Sequence, residues 1–186
     1  MLMDTDRRNL AQRTKRGLHF IIASIVLWTG IFVIWLLPIE DILTRNLFTF
    51  FCTAPLMPLA FALSKVIKAE FSAKDNPLNN LGILFSMNQL LYILIAMWAY
   101  AGAPTNMVMI LAMIFGAHLL PFAWLYQSRA YMIMSIIIPL SMLIVGYNLP
   151  EERVFILAGL MICLESVFAV WLGIENRNVQ EETKHE

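Results

Sequence analysis

Charged residues are scarce in this sequence. Lys, Arg, Asp and Glu make up 14% of its 186 residues, whereas a soluble domain averages about 25%. Hydrophobic residues make up 60%, and the mean hydropathy is +0.71. This composition leaves too little polar surface to cover a water-soluble globule of this size. The chain is therefore predicted to be an integral membrane protein.

Cysteine and an excess of basic charge are also lacking. Two cysteines, Cys52 and Cys163, are too few for a disulfide framework or a metal finger. The 13 basic and 13 acidic residues balance, so no basic face is left over for the phosphates of a nucleic acid. The sequence has no phosphate-binding loop, nucleophile elbow or two-histidine metal helix. We therefore assign no catalytic residue, metal site, cofactor or nucleic-acid partner.

Long apolar runs divide the chain into six segments of about 20 residues, which suits helices crossing a hydrocarbon core of about 30 Å. The predicted spans are 17–38, 44–66, 80–102, 106–127, 130–148 and 153–174. They predict an all-α fold, a polytopic bundle of six transmembrane helices over residues 17–174. The first run is too long for the apolar core of a signal peptide, so it is predicted to stay as an anchor.

Basic residues are distributed unevenly between the two ends of these spans. Eleven of the 13 lie on the side of the termini, and only Arg45 and Arg153 lie on the other. Cytoplasmic loops carry the Lys/Arg excess, so both termini are predicted to be cytoplasmic. Residues 1–16 form a basic tail with the charge to contact anionic lipids of the inner leaflet. Residues 175–186 are expected to be a polar, disordered tail.

Polar residues interrupt the apolar spans at one depth. Glu165 is the one acidic residue well inside a span, about 13 Å from its inner end. An ionised side chain at mid-bilayer costs at least ~2.5–3.5 kcal/mol, so it needs a partner, water or a proton. His118, Asn88 and Gln89 lie at a similar depth in spans four and three. These four residues are the predicted site for binding a substrate or ion, or for relaying a proton.

Four prolines are predicted to break the helices: Pro55, Pro58, Pro121 and Pro139. A proline leaves the carbonyl four residues earlier without its donor. Such carbonyls are tolerated at membrane depth where neighbouring groups or water bind them. Pro58 and Pro139 lie at the depth of the polar residues, so they extend the same predicted layer.

Three segments resemble a known family: NPL at 76–78, MNQL at 87–90 and above all GAHLLPFAWLYQS at 116–128. Together with the basic tail before a Trp-bearing first helix, they resemble a family of small bacterial membrane proteins of unknown function. The resemblance implies a bacterial cytoplasmic membrane and a single six-helix domain. It implies no activity and no functional residue.

Three functions remain open. Secondary transporters often have inverted repeats with broken helices at corresponding positions and a site near the midplane. Spans two and five would be such counterparts, and a chain this small would form a homodimer if a closed pathway were needed. The second possibility is an accessory or structural membrane protein whose polar layer only fixes helix packing. The third is an enzyme or sensor for a hydrophobic ligand, with His118 and Glu165 as an acid–base pair.

Overall fold

A computed structural model describes residues 2–185, with side chains described for residues 2–178. This part of the chain contains nine α-helices and no strand. The helices are α1 (Leu2–Arg13), α2 (Leu18–Leu36), α3 (Ile42–Thr53), α4 (Leu56–Val66), α5 (Asn79–Gly102), α6 (Met107–Ala117), α7 (Leu120–Leu125), α8 (Arg129–Asn148) and α9 (Phe155–His185). Short 3₁₀ turns precede α2, α6 and α9.

Six helical segments are long and apolar enough to cross a membrane. In chain order, which we call spans one to six, they are Lys15–Leu36, Ile42–Val66, Asn79–Gly102, Pro104–Leu125, Arg129–Asn148 and Glu151–Asn178. Span two joins α3 to α4, and span four joins α6 to α7. The predicted fold class, an all-α bundle of six membrane-spanning helices, is confirmed.

Each span packs against its neighbour in sequence, and span six returns to pack along span one. The α2–α9 and α6–α8 pairs are the most extensive contacts between spans. Their apolar core includes the fully enclosed side chains of Ile31, Ile138, Met161 and Phe168. In contrast, α5 packs mainly against α6 and remains largely exposed.

Only two of the four prolines coincide with a break between helices. Pro55 separates α3 from α4, and Pro121 is the second residue of α7, which starts just after α6 ends. Pro58 lies in the first turn of α4, where a backbone N–H has no partner within the helix anyway. Helix α8 continues through Pro139, so the break expected there is absent from its described course. The Phe51 carbonyl, which Pro55 was expected to leave free, accepts a bond of 3.2 Å from the Ala54 amide.

Both terminal segments are helical over their described residues. Residues 2–13 form a helix, α1, that buries Leu10 and Ala11 against the rest of the protein. Helix α9 continues through His185, so the last segment is helical where a disordered tail was expected. The division into 1–16, 17–174 and 175–186 as separate units stays a prediction.

Candidate functional site

Glu165 lies on the buried face of α9 and is fully enclosed, with 0% of its surface exposed. That face consists of residues spaced by three or four positions, as expected for one side of a helix. Its members are Ala158, Met161, Glu165, Phe168 and Leu172. The Ser24 hydroxyl of α2 donates a hydrogen bond of 2.8 Å to Oε1 of Glu165. Within the part of the chain that the structure describes, Oε2 has no hydrogen-bond partner.

His118 lies where span four is interrupted, directly after the last residue of α6. Its ring packs edge-on against the rings of Phe115 and Phe122, with centroid distances of 5.2 and 6.2 Å. Its buried Nδ1 atom has no hydrogen-bond partner among the described residues. The structure thus encloses this ring nitrogen among aromatic side chains.

Asn88 and Gln89 lie on α5, whose packing within the chain is slight. Asn88 is exposed, and its amide nitrogen donates a hydrogen bond of 2.9 Å to the hydroxyl of Tyr92 on the same helix. Gln89 is half-buried. The two amides therefore point in different directions, as their separation of about 100° around the helix requires.

The four predicted site residues are not joined to one another in the described structure. Glu165 bonds to Ser24, Asn88 bonds to Tyr92, and His118 packs on aromatic rings. Sequence reasoning missed Ser24 because a serine inside an apolar span reads as one more small residue. A shared site stays a prediction, while the Glu165–Ser24 pair is a feature of the fold.

A second polar cluster lies where span one begins, span five begins and span six ends, and sequence reasoning missed it. Arg16 is 7% exposed, and its Nη1 atom donates a bond of 2.7 Å to the amide oxygen of Asn176. Its Nε atom lies 3.6 Å from the Glu175 carboxylate. That carboxylate also accepts bonds from the Ser128 hydroxyl and the Ala130 amide, at 2.6 and 3.0 Å. It therefore caps the start of α8.

The backbone at this cluster is held in an uncommon conformation. Lys15, Arg16 and Gly17 have φ angles of 48°, 52° and 68°. These angles lie in the left-handed region, which is unfavourable for residues other than glycine. The Tyr131 hydroxyl donates a bond of 2.9 Å to the Arg16 carbonyl, and the Asn176 amide one of 3.0 Å to the Lys15 carbonyl. The opposite charges at the start of span one and the end of span six were a signal in the sequence, but using it required knowing that these spans touch.

Helix α1 is attached to the loop between spans two and three through Arg13. Its guanidinium donates paired hydrogen bonds to Glu70, at 2.9 and 2.7 Å, and to Asp75, at 2.7 Å each. These bonds favour the ionised carboxylate and lower the pKa of Asp75 to about 2. Arg7 stacks over the ring of Trp124, 4.3 Å from its centroid. Much of the predicted basic tail is thus engaged by the protein itself.

A cavity of about 330 Å³ lies at the opposite end of the bundle, between the ends of spans four, five and six. Polar residues in its wall include Asn106, Tyr147 and Glu151, and apolar residues include Met109 and Leu157. It is separate in sequence from all four predicted site residues. Among the side chains that the structure describes, no three His, Cys, Asp or Glu residues are placed to hold a metal ion.

Comparison with known proteins gives one result about family. No curated protein and no solved structure matches the chain. A family model does match, over residues 3–175, which is nearly the whole sequence and covers spans one to five and most of span six. The chain belongs to this family, described as a family of unknown function (DUF7010).

Proposed function

We propose that this protein is a small transporter or permeation pathway in which Glu165 binds a proton or a cation. The observation that supports this proposal is the second oxygen of its carboxyl group. Oε1 is held by Ser24, while Oε2 is buried without a hydrogen-bond partner among the described residues. Ionisable residues inside a membrane are expensive and commonly mark ion or proton pathways.

The Ser24 bond has a specific consequence for such a site. It fixes the carboxyl group between α2 and α9 and leaves one oxygen for a proton or a cation. An ionised carboxylate there has its charge balanced only when a cation is bound. Exchange of that proton or cation requires spans one and six to admit water, so the proposed cycle includes their local separation.

His118 and Gln89 are proposed to assist, His118 as a proton relay and Gln89 as a hydrogen-bonding group for substrate. His118 lies at the interruption of span four, where the helix is already broken and local movement costs fewer backbone bonds. Gln89 is half-buried on α5. Asn88 is left out of this pathway because it is exposed and bonds to Tyr92 on its own helix.

The membrane placement forms part of the same proposal. We place the protein in a bacterial cytoplasmic membrane with both termini inside, because the Lys/Arg excess lies on that side. Helix α1 would then lie at the inner surface. Anionic lipid headgroups would meet the exposed basic side chains there, which include Arg8, Lys68, Lys74 and Arg129.

The experiment uses purified protein in vesicles that enclose a pH-sensitive dye, with a potassium diffusion potential as the driving force. We expect proton uptake above that of protein-free vesicles, and we expect Glu165→Gln to reduce it at least tenfold. The matched control is Glu151→Gln, an exposed acid in the loop before α9, which should leave uptake unchanged. Sodium uptake is measured in parallel. Equal uptake of both ions by wild type and Glu165→Gln would overturn the proposal.

A second candidate is a structural or accessory protein, and the complete enclosure of Glu165 favours it. In that role the Ser24–Glu165 bond would fix how spans one and six pack. Infrared difference spectra separate the two functions. A Glu165 carboxyl band that responds to pH or added sodium supports transport, and a band that stays constant supports the structural role.

A further inference from the structure

Helix α5 is the least enclosed of the six spans. Only 6% of the residues in its most apolar stretch are buried, against 50% in span four. Its buried residues are Ala96 and Ala99, and the side chains on the rest of its circumference are exposed or half-buried. One whole face of this span therefore has no partner within the described chain.

The exposed face has the spacing of a two-stranded coiled coil. Five exposed residues follow one another at alternating intervals of four and three: Leu84, Asn88, Leu91, Ile95 and Trp98. These intervals define the a and d positions of a heptad repeat, in which apolar residues recur every 3.5 residues. Asn88 and Ile95 occupy the a positions, and leucine occupies d at 84 and 91. We call these five residues the α5 stripe.

The residue types match the positions that they occupy. A β-branched residue at a with leucine at d favours two strands, and a single asparagine at an a position fixes the register and the number of strands. The α5 stripe has all three features. Lipid tails would cover the apolar side chains of the stripe at no cost, but they have no hydrogen-bonding group for the carboxamide of Asn88.

The polar group in the stripe is only partly satisfied by its own helix. The Asn88 carboxamide has two N–H donors and an acceptor oxygen, and among the described residues it makes one hydrogen bond, from its nitrogen to the Tyr92 hydroxyl. Asn88 lies nine residues after the start of α5, about 14 Å along the helix, and thus near the bilayer centre. Interhelical bonds from such amides stabilise helix pairs in membranes.

We propose that a second copy of this chain covers the α5 stripe, giving a parallel homodimer about a two-fold axis normal to the membrane. Two copies inserted in the same orientation hold Asn88 at the same depth, so each amide meets Asn88 of the partner subunit. A carboxamide is both donor and acceptor and therefore complements itself, as a two-fold contact requires. This inference does not depend on the role of Glu165.

Disulfide cross-linking in membranes tests the geometry. The background is Cys52→Ala with Cys163→Ser, and the variant is Leu91→Cys in the α5 stripe. The matched control is Leu90→Cys, since Leu90 and Leu91 are 61% and 63% exposed at nearly the same depth but point about 100° apart. We expect cross-linked dimer from Leu91→Cys and little from Leu90→Cys. Equal cross-linking of both variants, or of neither, would overturn the proposal.

Single-molecule photobleaching in lipid vesicles tests the chemistry. We expect two-step bleaching that gives way to one-step bleaching as lipid is added, and a dimer about tenfold weaker for Asn88→Leu. Gln89→Leu, which removes the neighbouring amide outside the α5 stripe, should leave the dimer unchanged. One-step bleaching at every dilution would mean that lipid covers the face. The proposal would also be contradicted if the protein formed no homodimer and associated only with a different membrane protein.

Discussion

The Ser24 hydroxyl and the Glu165 carboxyl group are joined by a hydrogen bond of 2.8 Å across the contact between spans one and six. Both residues are almost completely buried, at 2% and 0% exposed. The pair links the first and last spans of the chain at membrane depth. Its loss would leave both carboxyl oxygens without a protein donor.

Ser24→Ala should therefore lower the free energy of unfolding by about 1–2 kcal/mol. The measurement is the unfolding midpoint in mixed detergent micelles. Ser166→Ala is the matched control, because the Ser166 hydroxyl bonds to the Ile162 carbonyl within its own helix. Equal destabilisation by the two variants would show that the Glu165 bond adds no interhelical stability.

Gly116 permits the close approach of spans four and five. A Cβ atom there would lie 2.6 Å from Cδ of Pro139 and 2.7 Å from Cγ2 of Ile138. Gly116→Ala should therefore force the helices apart and cost about 1–3 kcal/mol, measured by the same unfolding assay.

Gly173→Ala is the control for this substitution. Nothing lies within 4 Å of a Cβ atom built on Gly173. Alanine favours the helix by roughly 0.5–1 kcal/mol over glycine, so this variant should be neutral or stabilising. A loss at Gly173 as large as that at Gly116 would mean that the close approach is not the cause.

The spans followed from sequence because hydropathy reports the length of each apolar segment directly. The position of Glu165 inside a span followed in the same way, since twelve of the 13 acidic residues lie outside or at the edges of the spans. Its partner Ser24 did not, because hydropathy contains no information on which helices are neighbours. The same limit hid the Arg16–Glu175 pair, whose members are 159 positions apart but lie 3.6 Å from each other.

The proline predictions were only half successful for a local reason. A proline breaks a helix when its missing N–H and its ring fall in the interior. Pro58 falls in a first turn that Pro55 has already started, so it removes no bond. Pro139 is accommodated within α8 beside Gly116 of the adjacent span, a tertiary contact that the sequence pattern does not encode.

Glu175 should contribute strongly to stability at the end of the bundle where span one begins. Its carboxylate faces the Arg16 guanidinium, and the two side chains are 18% and 8% exposed. Glu175→Ala leaves that charge unpaired and removes the cap on α8, so we expect a loss of about 3 kcal/mol. Arg177→Ala, at an exposed position two residues on, should change the unfolding midpoint little. Similar losses in the two variants would contradict the buried ion pair.

The attachment of α1 should depend on pH through Asp75. Arg13 lowers the pKa of this carboxyl group from its usual 3.8 to about 2. Because the pKa of Asp75 is lower in the docked state, the bonds between Asp75 and Arg13 contribute fully to docking above about pH 4. Its contribution is lost as the pH falls through about 2, because protonation of Asp75 weakens the bond to Arg13. Arg13 itself stays charged, since its own pKa is raised further by the two carboxylates.

A spin label at Gln12→Cys, on the exposed side of α1, reports this docking in a background without Cys52 and Cys163. We expect slow label motion at neutral pH and faster motion as the pH falls from 4 towards 2. Asp75→Asn should give intermediate mobility already at neutral pH, because the neutral amide keeps one acceptor but loses the charge. Arg13→Leu should raise label mobility at neutral pH above that of Asp75→Asn and remove its pH dependence, since it removes the bonds to Glu70 as well while the buried Leu10 and Ala11 still hold α1. If label motion in Asp75→Asn followed the wild-type pH profile, another group would control the docking of α1.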